Sequence, residues 1–155
     1  MQDPYTPTYI LTWNPRKFNW TDYHLACEYI KNIGDFYFDW SCRSKLPKDY
    51  DRFILLMQGM GEKNGIVGTG IFTSEPYTVK NTPYGSSFTD ITFNRMWNYE
   101  NEPYVHTSQL TMMFRGQCWT PQMSGTRIRS SILPDLWSLI NNRDLHLCNT
   151  KDKEL

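Results

Sequence analysis

Residues Asp49–Tyr77 read DYDRFILLMQGMGEKNGIVGTGIFTSEPY, and this stretch decides the fold. The unbroken apolar run Phe53–Met57 suits a strand covered on both faces, hence a central one. GMGEKNG, closing on Asn64-Gly65, supplies a turn, and IVGTGIFT returns as a second strand, so the stretch is a hairpin. Gly68 and Gly70 leave one face of the returning strand without side chains. Glycine in a strand marks a bulge or a place where something packs against the backbone.

Upstream, Tyr9–Trp13 is a β-branched and aromatic run stopped by Asn14-Pro15, a strand followed by a loop. TDYHLACEYIKNIG follows, with Thr21 as N-cap, Leu25, Ala26, Tyr29, Ile30 and Ile33 at helical spacing, and Gly34 as C-cap. FYFDWS then alternates Phe36, Phe38 and Trp40 against Tyr37, Asp39 and Ser41, the period of a strand. Downstream, Phe88–Trp97 alternates in the same way. Thr107 or Ser108 caps a short helix through Leu110, Met113 and Phe114, and PDLWSLIN opens a last helix with Pro134 in its first turn.

The order predicts an α+β domain, a strongly curved and mostly antiparallel sheet or half-open barrel flanked by short helices. A chain of 155 residues suits one domain, taken as 1–149, with 150–155 a charged tail expected to be frayed.

Sixteen basic residues balance sixteen acidic ones, so any attraction to a polyanion must come from a local patch. The four cysteines, Cys27, Cys42, Cys118 and Cys148, form no CxxC pair, and MQDPYTPTYI lacks the basic and apolar regions of a leader. A cytoplasmic protein with reduced thiols is the expectation, and a four-cysteine zinc site is disfavoured. No run approaches the roughly 18 apolar residues of a membrane span, so no membrane partner is expected.

Enzyme templates find little purchase. His24, His106 and His146 sit in no nucleophile motif, paired acids and metal spacings such as HxH are missing, and GMGEKNG lacks the GK[ST] ending of a phosphate loop. The expectation is a non-enzymatic chain with no metal or organic cofactor.

Aromatics make up 15% of the chain, more than a core of this size needs, so some rings should be surface or pocket groups. Tryptophans recur in polar segments beside cations. Trp13 precedes Arg16 and Lys17, Trp40 precedes Arg43 and Lys45, and Trp119 is flanked by Arg115, Arg127 and Arg129. Indole faces next to cations suit a flat ring carrying phosphate, which is a nucleotide. Trp13 and Trp40 have a competing reading as core residues, and Gln122 and Ser124 as turn formers. Trp119, wedged between Cys118 and Thr120-Pro121, is harder to read as core alone.

YILTWNPRKFNW, the later Trp40-Ser41, FILLMQG with its glycine-rich turn and GIVGTGIFTSEPY, and WTPQMSG together resemble the EVE domain group of the PUA-like superfamily. The likeness runs from about Tyr9 to Trp137 and is closest to versions accompanying HNH nucleases in bacterial modification-dependent restriction. It implies a pseudobarrel related to YTH and SRA readers, which hold a flipped modified base in an aromatic cage. On that resemblance Trp13 and Asn14 belong to the loop after the first strand, Trp40 and Ser41 are the cage tryptophan and its polar neighbour, and Trp119, Gln122 and Ser124 close the pocket. The nearby cations would meet phosphates, and the backbone around Gly68 and Gly70 would line the floor. The 155 residues carry no nuclease motif, and the expectation is that any nuclease partner is separately encoded.

The expected function is therefore a reader of nucleic acid carrying a modified base, DNA in preference to RNA. The alternatives are a sensor of a free nucleotide-like small molecule and a reader of modified RNA. Alanine at Trp40 or Trp119 is expected to abolish the preference while leaving the fold cooperative.

Overall fold

The structure, a computed structural model, describes residues 3–83 and 86–142. Strand β1 (Thr8–Trp13) leads through helix α1 (Tyr23–Asn32) to β2 (Phe36–Ser41) and β3 (Arg52–Met57). A 3-10 turn, Gly61–Lys63, precedes β4 (Gly65–Phe72). Next come β5 (Tyr77–Thr78), β6 (Ser87–Met96), β7 (Val105–His106), helix α2 (Thr107–Met113) and β8 (Thr126–Arg127). A further helix, α3, covers residues 133–142, with Pro134 in its first turn. Cys148, His146 and the charged segment 150–155 lie outside the described residues.

One mixed sheet holds all eight strands in the order β2-β6-β4-β3-β1-β8, with β5 added to β6 and β7 to β4. Every pairing is antiparallel except β1 with β3. Parallel neighbours need a long crossover, which α1 and β2 provide. The sheet is α+β and mostly antiparallel, as expected, and it stays open: β2 and β8 are its edges. Side chains span the gap. The Trp40 indole N–H donates to the Thr12 carbonyl at 2.9 Å, and the Arg43 N–H donates to the Ser124 carbonyl at 2.9 Å.

β3 is buried along its whole length, as its apolar run required. Its partner β4 is reached through a seven-residue connection, Gln58–Asn64, and not through a tight turn at Asn64-Gly65, because Gly65 already pairs in the sheet. Gly68 and Gly70 do not floor a pocket. They lie opposite Leu55 and Phe53, on the sheet face that holds the aromatic core. A Cβ on Gly70 would run into the Thr92 carbonyl and stand 2.8 Å from the Phe53 ring, and one on Gly68 would stand 3.0 Å from Phe93. Both residues therefore make room for rings. β4 is also bulged, with register shifts against β3 at Leu55/Leu56 and against β6 at Thr69/Gly70.

The face of β1 and β3 bearing Tyr9, Leu11, Trp13, Phe53, Leu55 and Met57 packs on rings. Phe53 meets Phe72 and Phe93 edge-on at 5.8 and 5.1 Å, and Trp20 sits 5.0 Å from Trp40. Helix α1 closes this core with Tyr23, Ala26 and Cys27. The expected apolar stripe is only partly right. Ile30 packs on the core, but Leu25, Tyr29 and Ile33 face outward at 68, 40 and 73% exposure. The N-cap is Asp22 and not Thr21, with no capping side-chain bond.

The opposite face carries Thr8, Arg52, Ile54, Thr69 and Ile71 and is covered by α3. Trp137 donates its indole N–H to Thr8 Oγ1 at 3.3 Å, and the Arg52 guanidinium stacks 3.4 Å above the Trp137 ring. Arg52 is the charged residue that opens the otherwise apolar run, and burial, with help from Arg95, pushes its pKa down to about 10. A desolvated cation–π contact is worth about 2 kcal/mol, whereas an uncompensated buried charge costs several.

Candidate functional site

β1 ends at Trp13, and the chain turns at once. Asn14 accepts the amides of Lys17 and Phe18 through its carbonyl, both at 2.9 Å, and the amide of Arg16 through Oδ1 at 3.0 Å, an Asx turn. The turn returns the Phe18 carbonyl to the Trp13 indole N–H at 2.9 Å. On the other edge, β2 brings Phe38 and Trp40 to one face, as its period of two dictates. The late loop joins the two sides. Ser124 Oγ accepts the Thr12 N–H at 3.0 Å while its carbonyl takes the Arg43 N–H, and Gln58 donates to the Pro121 carbonyl at 3.1 Å. Gly125 permits this at φ 108°, where a Cβ would stand 2.9 Å from Cys42 Sγ.

These elements enclose a cleft of about 1480 Å³ in the seam between the sheet edges. Nine expected residues line it: Trp13, Asn14, Lys17, Trp40, Ser41, Arg43, Lys45, Gln122 and Ser124. They come from three separate segments of chain. Lys17, Arg43 and Lys45 are exposed cations on its rim, with Arg43 Nη1 3.6 Å from Met123 Sδ.

The other expected residues are elsewhere. Trp119 does not wall the cleft: it is 3% exposed, donates its indole N–H to the Phe114 carbonyl at 3.1 Å and packs on that ring. A large apolar ring five residues beyond Phe114 is used as core, and the polarity of the surrounding loop hid this. Arg16 and Arg115 are exposed and do not line the cleft, and Arg127 sits on β8 opposite Tyr9. Arg129 binds the Gly116 carbonyl with its side chain and Gln117 Oε1 with its amide.

Trp13 and Trp40 reach the cleft but are themselves 4 and 5% exposed, so most of each indole is core. Trp40 lies against Phe18, Trp20, Phe38 and Phe93, and Trp13 against Trp20, Tyr23 and Tyr99. Alanine at Trp40 or Trp119 therefore removes a core ring and is expected to cost stability. The lining rings that are only half-buried are Phe18, Phe38 and Phe88. Phe38 was legible, since it shares a strand face with Trp40. Phe88 was not, because only the pairing of Ser41 with Phe88 brings it in.

Beside the cleft, and sharing Phe38 and Asp39 with it, is an acidic hollow of about 450 Å³. Asp39 and Asp90 are direct cross-strand partners there. The Tyr77 hydroxyl donates to Asp90 at 2.7 Å, and burial followed by that bond pushes its pKa up to about 12. The seam thus has a basic end and an acidic end. His24, near Glu100, and His106, on the Glu62 carbonyl, lie outside the cleft. Among the described residues no three His, Cys, Asp or Glu side chains are grouped to hold a metal, and no helix is long and apolar enough to cross a membrane.

No family model and no curated protein matches the chain. Among solved structures it is similar to the NMR structure of Rpa0253 from Rhodopseudomonas palustris. The likeness has a TM-score of 0.52 at 13% identity and covers 86% of this chain and 90% of that one. At that identity the similarity speaks to the fold alone.

Proposed function

We propose that this chain is a non-catalytic reader of nucleic acid carrying a modified base, with the cleft between the sheet edges holding the flipped base. The observation that carries the reading is the convergence of ring edges, amide and hydroxyl groups and three rim cations in one seam. TWNPRK and the WTPQMSG loop, two of the stretches that carry the EVE resemblance, both contribute lining residues.

Extruding a base loses a few kcal/mol of stacking, and contact with a ring returns about 1–3 kcal/mol per base. Phe18, Phe38 and Phe88 offer such surface, with the edges of Trp13 and Trp40 behind them. A methyl group adds only about 0.8 kcal/mol, so discrimination falls on polar groups that match one base edge. Asn14, Ser41 and Gln122, which line the cleft, are the candidates for that role. Ser124 already holds β1 with its oxygen and serves as structure. Trp119, Arg16, Arg115, Arg127 and Arg129 have no part in the proposed pocket.

The cleft exceeds the roughly 300–1,000 Å³ common for small-molecule pockets. That size favours a nucleotide within a strand over a free nucleotide signal, and the basic rim suits flanking phosphates. Charge is local, so affinity without the modification should be modest.

The test is binding to short duplexes and single strands, DNA and RNA, that differ only in one modified base, with mononucleotide as competitor. Three phosphate contacts predict a log–log salt slope of about −2.7 on duplex, falling by about 0.9 with each of Lys17→Ala, Arg43→Ala and Lys45→Ala. A free mononucleotide that binds as tightly as the polymer would replace the reader with a sensor.

A further inference from the structure

The face of the sheet under α3 holds two arginines that the cleft does not use. Arg52 opens β3, is 7% exposed, and stacks on Trp137. Arg95 lies two strands away on the same face: Ile54 pairs with Thr69, and Thr69 pairs in turn with Arg95. The bulge between Thr69 and Gly70 gives β6 an extra residue there and re-aims the Arg95 side chain.

Two polar atoms on this face lack a partner among the described residues. Arg95 Nη2 donates to Asn141 Oδ1 at 2.7 Å, but Arg95 Nη1 is buried with no partner. Thr92 Oγ1, on the same face and separated from Arg52 by Ile71 in the register, is also buried and has no partner among the described residues. Neither arginine forms a salt bridge among the described residues, where the ion pairs are His24–Glu100 and Lys31–Glu102. The charge of Arg95 adds to burial in lowering the Arg52 pKa, so the two guanidiniums sense each other.

Two like charges, an orphan N–H and an orphan hydroxyl on one buried face call for a negatively charged acceptor. The guanidinium fork matches the oxygens of a carboxylate or phosphate. Arg52 is too covered to meet a polymer backbone, so the ligand is compact. We infer that Arg52 and Arg95, with Thr92 and Asn141, form a second binding site, separate from the cleft, for a small free oxyanion of the phosphate or carboxylate class.

Titration of the full chain with inorganic phosphate, and separately with acetate, at constant ionic strength tests this by calorimetry and by melting. The expected result is saturable binding and a saturable rise in Tm with at least one of the two anions. Arg95→Gln should weaken it by about tenfold or more, the loss of one charge-assisted bond. Lys45→Gln, at the cleft, should leave it unchanged. Thr92→Val is the second variant, because it removes a hydroxyl that has no partner without ligand. It should keep the ligand-free Tm and still bind phosphate more weakly.

Stronger binding of phosphate or of acetate identifies the class, and either supports the site. No binding of either anion overturns the inference. So does a non-saturating rise in Tm shared by wild type and Arg95→Gln, which is general exclusion of salt from the protein surface. Because neither anion needs the cleft, this outcome is independent of whether modified nucleic acid is bound.

Discussion

Trp119→Ala separates a core tryptophan from a cage tryptophan. The ring is 3% exposed, lies 6.1 Å from Phe114 and bonds that residue's carbonyl. Truncating a buried tryptophan costs about 3–5 kcal/mol through lost transfer energy and the cavity left behind. The lost indole bond adds about 1 kcal/mol, reduced if water reaches the Phe114 carbonyl. In a domain of this length each kcal/mol moves Tm by about 2–4 °C, so the expected fall is on the order of 6–24 °C. Thermal melts by circular dichroism give the shift. Binding of the preferred modified oligonucleotide is then measured well below the variant's transition, where the folded fraction is near one. Under those conditions the affinity per folded molecule should stay within about threefold of wild type, less than 1 kcal/mol. A variant that melts within about 2 °C of wild type yet loses its preference would refute the core assignment and return Trp119 to the pocket wall.

Two further perturbations probe the seam. Ser124→Ala removes the acceptor of the Thr12 N–H and should cost about 1–2 kcal/mol, or about 2–8 °C in Tm. Ser41→Ala, with no side-chain bond to lose, is the matched control, and its melt should overlay that of wild type. Gly125→Ala places a Cβ 2.9 Å from Cys42 Sγ in a backbone conformation suited to glycine, so denaturant melts should show a loss of about 1–3 kcal/mol. It should also weaken oligonucleotide binding, because the loop that shapes the cleft is displaced.

Periodicity and turn chemistry carried most of the element order. The apolar run at Phe53–Met57, the alternation at Phe36–Trp40 and at Phe88–Trp97, and Asn14-Pro15 after the first strand each reflect a local constraint that one chain segment satisfies alone. The same locality explains the errors. Leu25, Tyr29 and Ile33 sit on helical spacing, yet α1 turns Tyr23, Ala26 and Cys27 inward because Trp13 and Trp20 offer Tyr23 a pocket. Gly68 and Gly70 signalled close packing correctly, but only the register with β3 and β6 showed that the approaching groups are Phe53 and Phe93.

The candidate site divides in the same way. Asn14, Lys17, Trp40, Ser41, Arg43 and Lys45 were readable because ring, amide and cation lie within a few residues of one another. Tertiary structure alone decided that Trp119 belongs to the core while Gln122 and Ser124, a few residues on, reach the cleft. It also placed Arg52 and Arg95, more than forty residues apart in sequence, on one sheet face, and gave neither a carboxylate among the described residues. Local sequence encodes what a residue could do through its spacing and chemistry. Which rings are consumed by packing, and which cations share a face, depends on strand register and sheet curvature, which arise only when distant segments compete for the same interior.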